Sequence, residues 1–442
     1  MNQTLLFILG VVLLMVGVGA SIAIHELGHM YPAKKFGVLV TKYMIGFGPT
    51  IKSWRRGETE YGFKAIPLGG YIAMIGMFPA KPIDDGKKPS RVRAPKFWRD
   101  LVDQAREANA EQSGAVPKER WFSSLPIFKR LIIMFGGPFM NLVFGSVLLF
   151  LALGVIGTPA MGTTIAKVYD CVPSDQVKFE CVVSDPISPA KTAGIQTGDR
   201  VLSFNGIAAS RWSDISGELT KRVGISTSVQ VLRGDKTVDL TVSPVAMRVP
   251  IYDAAGKPMN DADGKPMTEL HPFIGVQLKP TMLPSSGTQI VGEIGAQLSG
   301  TANMIIALPG EVAQMAGATF GGGTRDANGP VSLLGVGQIA GQVASSPELD
   351  LAQKFAAGLS ILASLNFALF IFNLIPLLPL DGGHMAAAIY ESIKRLVFKI
   401  RRKVWRGPVD LTKLVPLTYA MWLVLMGMSL LFIFADIIKP VA

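Results

Sequence analysis

Four long apolar stretches constrain this chain more than any other feature of its sequence. They cover about residues 5–30, 131–156, 355–380 and 415–438. An α-helix needs about 20 apolar residues to cross the hydrocarbon core of a bilayer. We therefore predict a polytopic α-helical membrane protein with four spans. The first stretch is too long for the apolar part of a signal peptide and has no basic segment before it, so we expect it to be retained.

The charges between the stretches orient the predicted spans. Residues 34–130 hold 19 Lys or Arg against 9 Asp or Glu, residues 157–354 hold 15 against 18, and residues 381–413 hold 8 against 3. Lys and Arg near span ends favour the cytoplasmic side. We therefore predict that the first and third of these regions are cytoplasmic and that the middle region and both termini are outside. The formal net charge of +11 then reflects a partnership with the lipid bilayer, and we expect no nucleic-acid partner.

This orientation divides the chain into alternating membrane and polar parts. The membrane spans and their ends occupy residues 1–34, 129–157, 355–384 and 415–442. The polar parts are a cytoplasmic loop, an external domain, an external connecting segment and a basic cytoplasmic loop, at residues 35–128, 158–282, 283–354 and 385–414 respectively.

The polar parts carry their own structural patterns. Residues 43–77 alternate strand-like runs with glycines and predict a membrane-associated β-hairpin. Residues 79–120 are charged and contain prolines, which indicates a solvated insertion with a short helix at about 96–110. Short strand-like runs between about 161 and 281 predict a globular α+β domain. The apolar run at 290–319 fits an amphipathic helix on the membrane surface or core packing, and the pattern leaves both open.

The two cysteines, Cys171 and Cys181, both fall in the predicted external domain. Disulfides form in oxidising compartments outside the cytoplasm. We therefore predict a bond between them, although two free thiols are the alternative.

The strongest chemical motif is His25-Glu26-Leu27-Gly28-His29, inside the first apolar stretch. Residues four apart share one face of a helix, so both imidazoles can bind one zinc ion. Glu26 can then remove a proton from the attacking water as a general base. The alternative is a pair of core histidines bonded to backbone carbonyls. However, an ionisable side chain inside a span costs at least about 2.5 kcal/mol and implies a function.

A catalytic zinc site needs a third protein ligand and an open fourth position. Asp381 and His384 compete for this role near the end of the third stretch, where Pro376 and Pro379 interrupt the helix. Non-helical backbone at membrane depth is tolerated only inside protein or around a cavity. Spacing favours Asp381, because it lies closer to the apolar stretch and two glycines after it allow close backbone approach. His384 remains the alternative.

These motifs together resemble the bacterial site-2 proteases, which are intramembrane zinc metalloproteases. The regulator-of-sigma-E protease branch is the most similar group, and the single external domain is similar to its actinobacterial members. The resemblance covers all four spans and the external domain. It rests on His25 to His29 and on Leu380-Asp381-Gly-Gly, and further matches are Gly46-Phe-Gly-Pro49, Ile66-Pro-Leu-Gly-Gly-Tyr-Ile72 and Gly137-Pro-Phe-Met-Asn141.

The resemblance implies specific roles for individual residues. It implies zinc ligands at His25, His29 and Asp381, with Glu26 as the catalytic base. It also implies that a hairpin segment pairs with unwound substrate and that an asparagine holds substrate near the zinc. The residues concerned are Pro67, Leu68, Gly69, Gly70, Tyr71 and Asn373. A purely structural turn is the alternative for the hairpin.

The segment from Ser188 to Gly206 resembles a PDZ domain through its Ala-Gly-Ile, Gly-Asp and Asn-Gly elements. In the family such a domain is thought to screen substrates. The resemblance therefore implies a multi-pass protein of the bacterial plasma membrane, with its active site toward the cytoplasm and this domain outside. It also implies cleavage of single-span membrane proteins, such as anti-sigma factors, after an earlier external cut. The single PDZ-like domain and the long 79–120 insertion depart from the wider family pattern. Residues Gly329 to Gly335 recur in the family without a known role.

Two other classes of function remain as alternatives. A transporter would place polar residues in several spans and contain paired broken helices. A catalytically inactive scaffold would present the PDZ-like domain from the membrane. Only a protease loses peptide-bond cleavage when Glu26 is replaced.

Overall fold

The architecture is taken from a computed structural model of the full chain. It describes residues 2–77, 102, 116–173, 181–251, 259, 267–321, 329–402, 404 and 414–439. The predicted helix at 96–110 and most of the 79–120 insertion lie outside the described residues. The chain forms two compact units, one from Met1–Val155 with Ser286–Ala442 and one from Ile156–Ser285.

Among the described residues, four helices are long and apolar enough to cross a membrane, as the sequence predicts. They are α1 (Gln3–Lys35), α2 (Ile127–Phe150, continuing as a wider turn to Ile156), α7 (Leu351–Asn373) and α9 (Val415–Ile438). The predicted third span, 355–380, extends too far. Its helix ends at Asn373 because the segment that follows contains Pro376 and Pro379, which cannot continue a helix.

The region predicted as a basic cytoplasmic loop, 385–414, is helical over its first part. Helix α8 runs from Asp381 to Ile400 and buries His384, Ala388 and Glu391 along one face. These positions recur at helical spacing.

Small residues bring the membrane helices together. A Cβ at Gly28 in α1 would overlap the carbonyl of Gly136 in α2, and a Cβ at Gly136 would overlap the carbonyl of Gly28. The backbones of α1 and α2 can therefore touch at this level only because both positions lack a side chain. Close approach through small residues is the usual means of helix packing in membranes.

The predicted hairpin is confirmed as β1 (Val40–Arg56) and β2 (Thr59–Met74). The hairpin curls, so that residues 40–45 pair with residues 60–63 on one side and with residues 70–74 on the other. Residues 70–74 therefore form an outer strand of this small sheet among the described residues.

The described residues between the unit Ile156–Ser285 and the third span are largely helical. They include α5 (Gly287–Phe320) and α6 (Leu333–Ser345). Helix α5 buries Met315 against Phe432 and Ala435 of α9, which supports the core-packing interpretation of residues 290–319.

The unit Ile156–Ser285 is an α+β fold. Strands β10, β3, β4, β6 and β7 form an antiparallel sheet in that order, with the short β5 beside β4, while β8 and β9 form a separate pair. The elements are β3 (Thr158–Val168), α3 (Pro189–Thr192), β4 (Arg200–Phe204), β5 (Ile207–Ala208), α4 (Ser213–Lys221), β6 (Thr227–Arg233), β7 (Lys236–Val242), β8 (Val245–Pro250), β9 (Thr268–Phe273) and β10 (Val276–Leu283). Its core includes Phe204, Ile215, Val229 and Val231. The predicted bond between Cys171 and Cys181 is present.

Candidate metal centre

Three side chains that are far apart in sequence converge in the membrane unit. His25 and His29 lie one turn apart in α1, and Asp381 is the first residue of α8. Asp381 Oδ2 lies 3.3 Å from Nε2 of His25 and 3.3 Å from Nε2 of His29. The two Nε2 atoms are 3.1 Å apart. Among the described residues these three form the one group of His, Cys, Asp or Glu side chains with metal-binding spacing.

The triangle of donor atoms has the size that zinc requires. Zinc binds His nitrogen and carboxylate oxygen at about 2.0–2.2 Å in a tetrahedron, so its ligand atoms stand about 3.3 Å apart. All three measured separations agree with this value. Asp381 Oδ2 is also buried and has no hydrogen-bond partner among the described residues, as expected for an atom that faces a cation.

Helix α2 holds both imidazoles at their outer nitrogens, that is, at the Nδ1 atoms, which are not part of the donor triangle. Nδ1 of His29 donates to the backbone carbonyl of Ile133 at 2.7 Å. Nδ1 of His25 lies 3.1 Å from the side-chain amide of Asn141. A hydrogen bond at the outer nitrogen fixes the ring and leaves Nε2 free for a metal.

The Asp-Gly-Gly sequence lets the start of α8 approach the proline-containing segment. A Cβ at Gly382 would overlap the backbone of Leu374 and Ile375, and a Cβ at Gly383 would overlap that of Leu377 and Leu378. Asp381 reaches the two histidines because these glycines allow that contact. His384, one turn further along α8, is buried but lies outside the three-donor group.

Glu26 is buried beside this group and lies against the hairpin. Gly70 lies against the Glu26 side chain, where an added Cβ would come within 3.1 Å of Cγ. The outer strand of the hairpin therefore runs directly past the carboxylate.

Tyr43 provides a second link between hairpin and helix. Its hydroxyl donates to the carbonyl of Ala23 in α1 at 2.7 Å. Burial raises the pKa of Tyr43 to about 12, so the phenol keeps its proton and remains a donor. This bond lies one turn before Glu26 and fixes the hairpin against that part of α1.

The residues predicted to bind substrate are placed in two locations. The hairpin residues Pro67, Leu68, Gly69, Gly70 and Tyr71 belong to β2. Position 69 requires glycine for two reasons, since its φ is positive, at 104°, and Phe47 occupies the space where a Cβ would stand. Asn373 is the last residue of α7, and its side chain forms no hydrogen bond with another described residue. The structure brings Gly70 to Glu26, but among the described residues it shows no hydrogen bond between Asn373 and the three donors.

Sequence reasoning missed the contribution of α2. Asn141 is fully buried in an apolar helix, and a buried polar residue at such a place is a recognisable sign of function. A buried ion pair was also missed. Arg130 in α2 lies 2.9 Å from Glu391 in α8, and it anchors the helix that begins with Asp381.

Comparisons with known proteins extend over nearly the whole chain. The family described as "Peptidase family M50" matches residues 13–409. The chain is 30% identical over 446 residues to "Zinc metalloprotease Rip1" of Mycolicibacterium smegmatis, with 99% of each chain covered. Rip1 of Mycobacterium tuberculosis strain H37Rv gives the same identity and coverage, 30% and 99%. "Zinc metalloprotease RasP" of Shouchella clausii is 26% identical over 84% of this chain and 87% of its own.

Proposed function

The chain belongs to peptidase family M50, and from that premise we propose that its substrates are single-span membrane proteins already trimmed by an earlier external cut, such as anti-sigma factors. The chain is a zinc metalloendopeptidase of the site-2 protease type, a multi-pass bacterial membrane protein. Regulated intramembrane proteolysis, with a released cytoplasmic fragment that alters transcription through a sigma factor, is the pathway class we infer.

The triangle formed by His25, His29 and Asp381 carries this proposal. The three side chains would hold the zinc ion, and their donor atoms already have tetrahedral spacing. When bound, zinc supplies Lewis-acid activation of water and of the scissile carbonyl. Glu26 follows His25 directly and would take the proton from the attacking water and pass it to the leaving amine.

Substrate would be held as an extended strand beside Glu26. A transmembrane helix must unwind before its peptide bonds can be attacked, because helical carbonyls are enclosed by their own hydrogen bonds. Residues 70–74 pair with β1 on one side only, and Gly70 in this strand lies against the Glu26 side chain. A peptide added along this edge would run past the catalytic carboxylate, in the mode of strand addition. Pro67 to Tyr71 would contact it.

Asn373, which precedes Asp381 in the sequence, would also help to hold the substrate near the zinc ion. It stands where α7 ends and the proline-containing segment toward Asp381 begins. An uncommitted carboxamide at this place can donate to a substrate carbonyl or accept from its amide.

The sidedness of the site follows from the loop charges. The hairpin belongs to the region with 19 basic and 9 acidic residues, whereas the unit Ile156–Ser285 belongs to the region with 15 and 18. We infer an active site toward the cytoplasm and a PDZ-like unit outside.

The outer unit would then select substrates without touching the scissile bond. It can exclude proteins with large external domains, or it can bind a newly made C-terminus. The unit contains a groove of about 460 Å³ between α4 and the segment 271–278, and β10 stands at the edge of its sheet, so a peptide could be added there. We favour exclusion, because PDZ-type peptide binding is usually weak and a size filter suits varied substrates.

The central test compares the wild type with Glu26→Gln in liposomes that contain a trimmed single-span substrate. We expect cleavage to fall by about 10²–10⁴-fold, while zinc content stays at one ion per chain. A wild type that cleaves nothing, or a Glu26→Gln variant that cleaves at the wild-type rate, would contradict the proposal. A transporter or scaffold has no such cleavage to lose.

Substrate selection is tested separately by removing residues 161–281. Exclusion predicts that the shortened protein cleaves substrates with intact external domains and that Glu26→Gln in the same background stays inactive. Gly217→Leu provides a matched point variant, because Gly217 lines the groove and has open space at its Cβ. If Gly217→Leu or the deletion abolishes cleavage of trimmed substrates while zinc remains bound, the unit recruits substrates instead.

A further inference from the structure

The hydrogen-bond partner of His25 Nδ1 decides whether Nε2 of the same imidazole can bind a metal ion. Nε2 of His25 faces Asp381 and His29, at 3.3 and 3.1 Å. A nitrogen that binds metal offers its lone pair, so in the neutral ring the proton must be on Nδ1. The group opposite Nδ1 must therefore be an acceptor.

Asn141 is the group opposite Nδ1. Its Nδ2 lies 3.1 Å from His25 Nδ1, while its Oδ1 is buried and has no hydrogen-bond partner among the described residues. Two donors would face each other in this arrangement if Nδ1 carries the proton. A carboxamide has nearly the same shape after a 180° turn about its Cβ–Cγ bond, and this turn places Oδ1 against the imidazole. As placed, one end of the amide lacks a partner among the described residues, and the imidazole is the group that decides the orientation.

We propose that Asn141 is a positioning residue that accepts the Nδ1–H of His25 through Oδ1 and so directs Nε2 to the zinc ion. This inference rests on the proposed zinc site and adds to it a residue of α2 that orients one of the ligands. His29 receives the equivalent support from a backbone carbonyl, that of Ile133 at 2.7 Å. Helix α2 thus holds the outer nitrogens of both ligand histidines, once by main chain and once by side chain.

The surroundings of Asn141 agree with this role. The residue is fully buried in a helix whose remaining buried positions are mostly apolar, and an amide there is costly unless it is used. One turn earlier, Gly137 leaves the space that the imidazole of His29 occupies, since a Cβ at Gly137 would overlap it. The sequence Gly137-Pro-Phe-Met-Asn141 therefore combines room for one ligand with a hydrogen bond to the other.

A second buried asparagine provides a matched control. Asn366 in α7 is also fully buried, and it donates to Ser21 Oγ at 2.9 Å and to the carbonyl of Leu362 at 2.7 Å. It joins α7 to α1 but shows no contact with a histidine of the site. Replacing either asparagine removes one buried amide from the helix bundle, and only one of them supports His25.

The test measures the zinc dissociation constant of the full chain by competition with a chelator, for Asn141→Leu, Asn141→Asp and Asn366→Leu. Loss of the acceptor in Asn141→Leu should weaken zinc binding by about 10–100-fold, the usual effect of losing such a partner. Asn141→Asp keeps an acceptor but no donor, so it should retain affinity within about threefold of the wild type. Asn366→Leu should also bind zinc like the wild type. Thermal unfolding of the zinc-free proteins reports on the fold.

Three outcomes would overturn the inference. Wild-type affinity in a folded Asn141→Leu variant would show that His25 needs no partner there. Equal losses of zinc affinity in Asn141→Leu and Asn366→Leu would indicate a general packing effect. Equal losses in Asn141→Leu and Asn141→Asp would show that accepting a hydrogen bond is not what Asn141 contributes. If the wild type itself binds no zinc, or if His25→Ala binds it unchanged, the proposed metal site fails instead, which separates the two failures.

Discussion

The two units of the molecule bury polar side chains in different ways. In the membrane unit, Glu26, His29 and Asn141 are buried close to one another inside or between apolar helices. In the unit Ile156–Ser285, the core consists of aliphatic and aromatic side chains. The most deeply buried carboxylate among the described residues of this unit, Asp199, is paired with Arg233, which reaches the surface.

This difference reflects the solvent in which each unit folds. Between membrane helices, apolar burial contributes little to association because lipid is as apolar as the side chains, so small residues and polar contacts bring the helices together. In water, the same apolar burial is the main stabilising term. Buried polar groups of the membrane unit therefore serve the metal centre and also join helices, as Asn366 does with Ser21, whereas in the other unit Asp199 supports the sheet through Arg233.

The comparison predicts that damage to one unit leaves the other intact. Variants at the metal centre should lose zinc and cleavage while the sheet of Ile156–Ser285 stays folded. Variants of that sheet should lose stability while zinc stays bound. The following changes test this separation, from the largest expected effect to the smallest.

Asp381→Ala should remove both zinc and activity. It deletes one of three donors, and two histidines alone leave the tetrahedron with half of its positions unfilled. We expect cleavage at background level and strongly reduced zinc content by elemental analysis. His384→Ala is the control, because it lies on the same helix and outside the donor group, and it should retain zinc. The reverse result would make His384 the third ligand.

Gly137→Ala should disturb the site without removing any donor. The added methyl group would overlap the imidazole of His29, and a displacement of about 1 Å at a reacting group costs about 10²-fold in rate. We expect this loss in cleavage, with weakened zinc binding. Gly19→Ala in α1 meets open space and should leave both unchanged. Equal behaviour of the two variants would show that the close contact at Gly137 can relax freely.

Removing the disulfide should affect the other unit alone. Cys171 and Cys181 are joined across a sequence separation of 10, and closing such a loop contributes about 3 kcal/mol to the free energy of unfolding in the chain-entropy estimate. Replacing both cysteines by Ala should therefore speed hydrogen exchange at the amides of β4 and β6 in the full chain. Zinc content should not change. A loss of zinc would contradict the independence of the two units.

Asp199→Asn should destabilise the same sheet by a smaller amount, about 1.5 kcal/mol, which is the lower end of the range for hydrogen bonds to a charged group because the asparagine keeps one acceptor oxygen. Asp199 accepts from Arg233 Nε and Nη2 at 2.9 and 2.8 Å and from the N–H of Gln196 at 2.9 Å. These bonds hold the pKa of Asp199 below its usual range, with the Arg233 guanidinium as the main cause.

The pH dependence of this pair has a defined direction. A carboxylate with a lowered pKa in the folded state binds protons more readily when unfolded, so its stabilising contribution is complete at neutral pH and is lost as pH falls below about 4. Hydrogen exchange of β6 should therefore differ between wild type and Asp199→Asn at pH 7, and the difference should shrink in acid. A difference that persists unchanged at pH 2 would show that charge is not the cause.

Local sequence patterns were sufficient to predict much of the structure of this protein. The four spans follow from the length of the apolar stretches, and the hairpin and the strands β4 and β6 follow from alternation and glycine punctuation. The pairing of His25 with His29 follows from helical spacing alone. The disulfide was predictable from the predicted compartment of the two cysteines. Each of these depends on residues close in sequence or on a property that the solvent imposes on a whole segment.

Only the tertiary structure decided how distant segments meet. Sequence spacing favoured Asp381 over His384, but the convergence of Asp381 with two histidines more than 350 positions earlier depends on where α8 begins. That start depends on the end of α7 at Asn373 and on the Gly382 and Gly383 contacts. The amide of Asn141 and the outer strand at 70–74 acquire their neighbours in the same way, through close helix packing and a curled hairpin. Such contacts are set by three-dimensional packing, for which a single sequence carries no periodic signature.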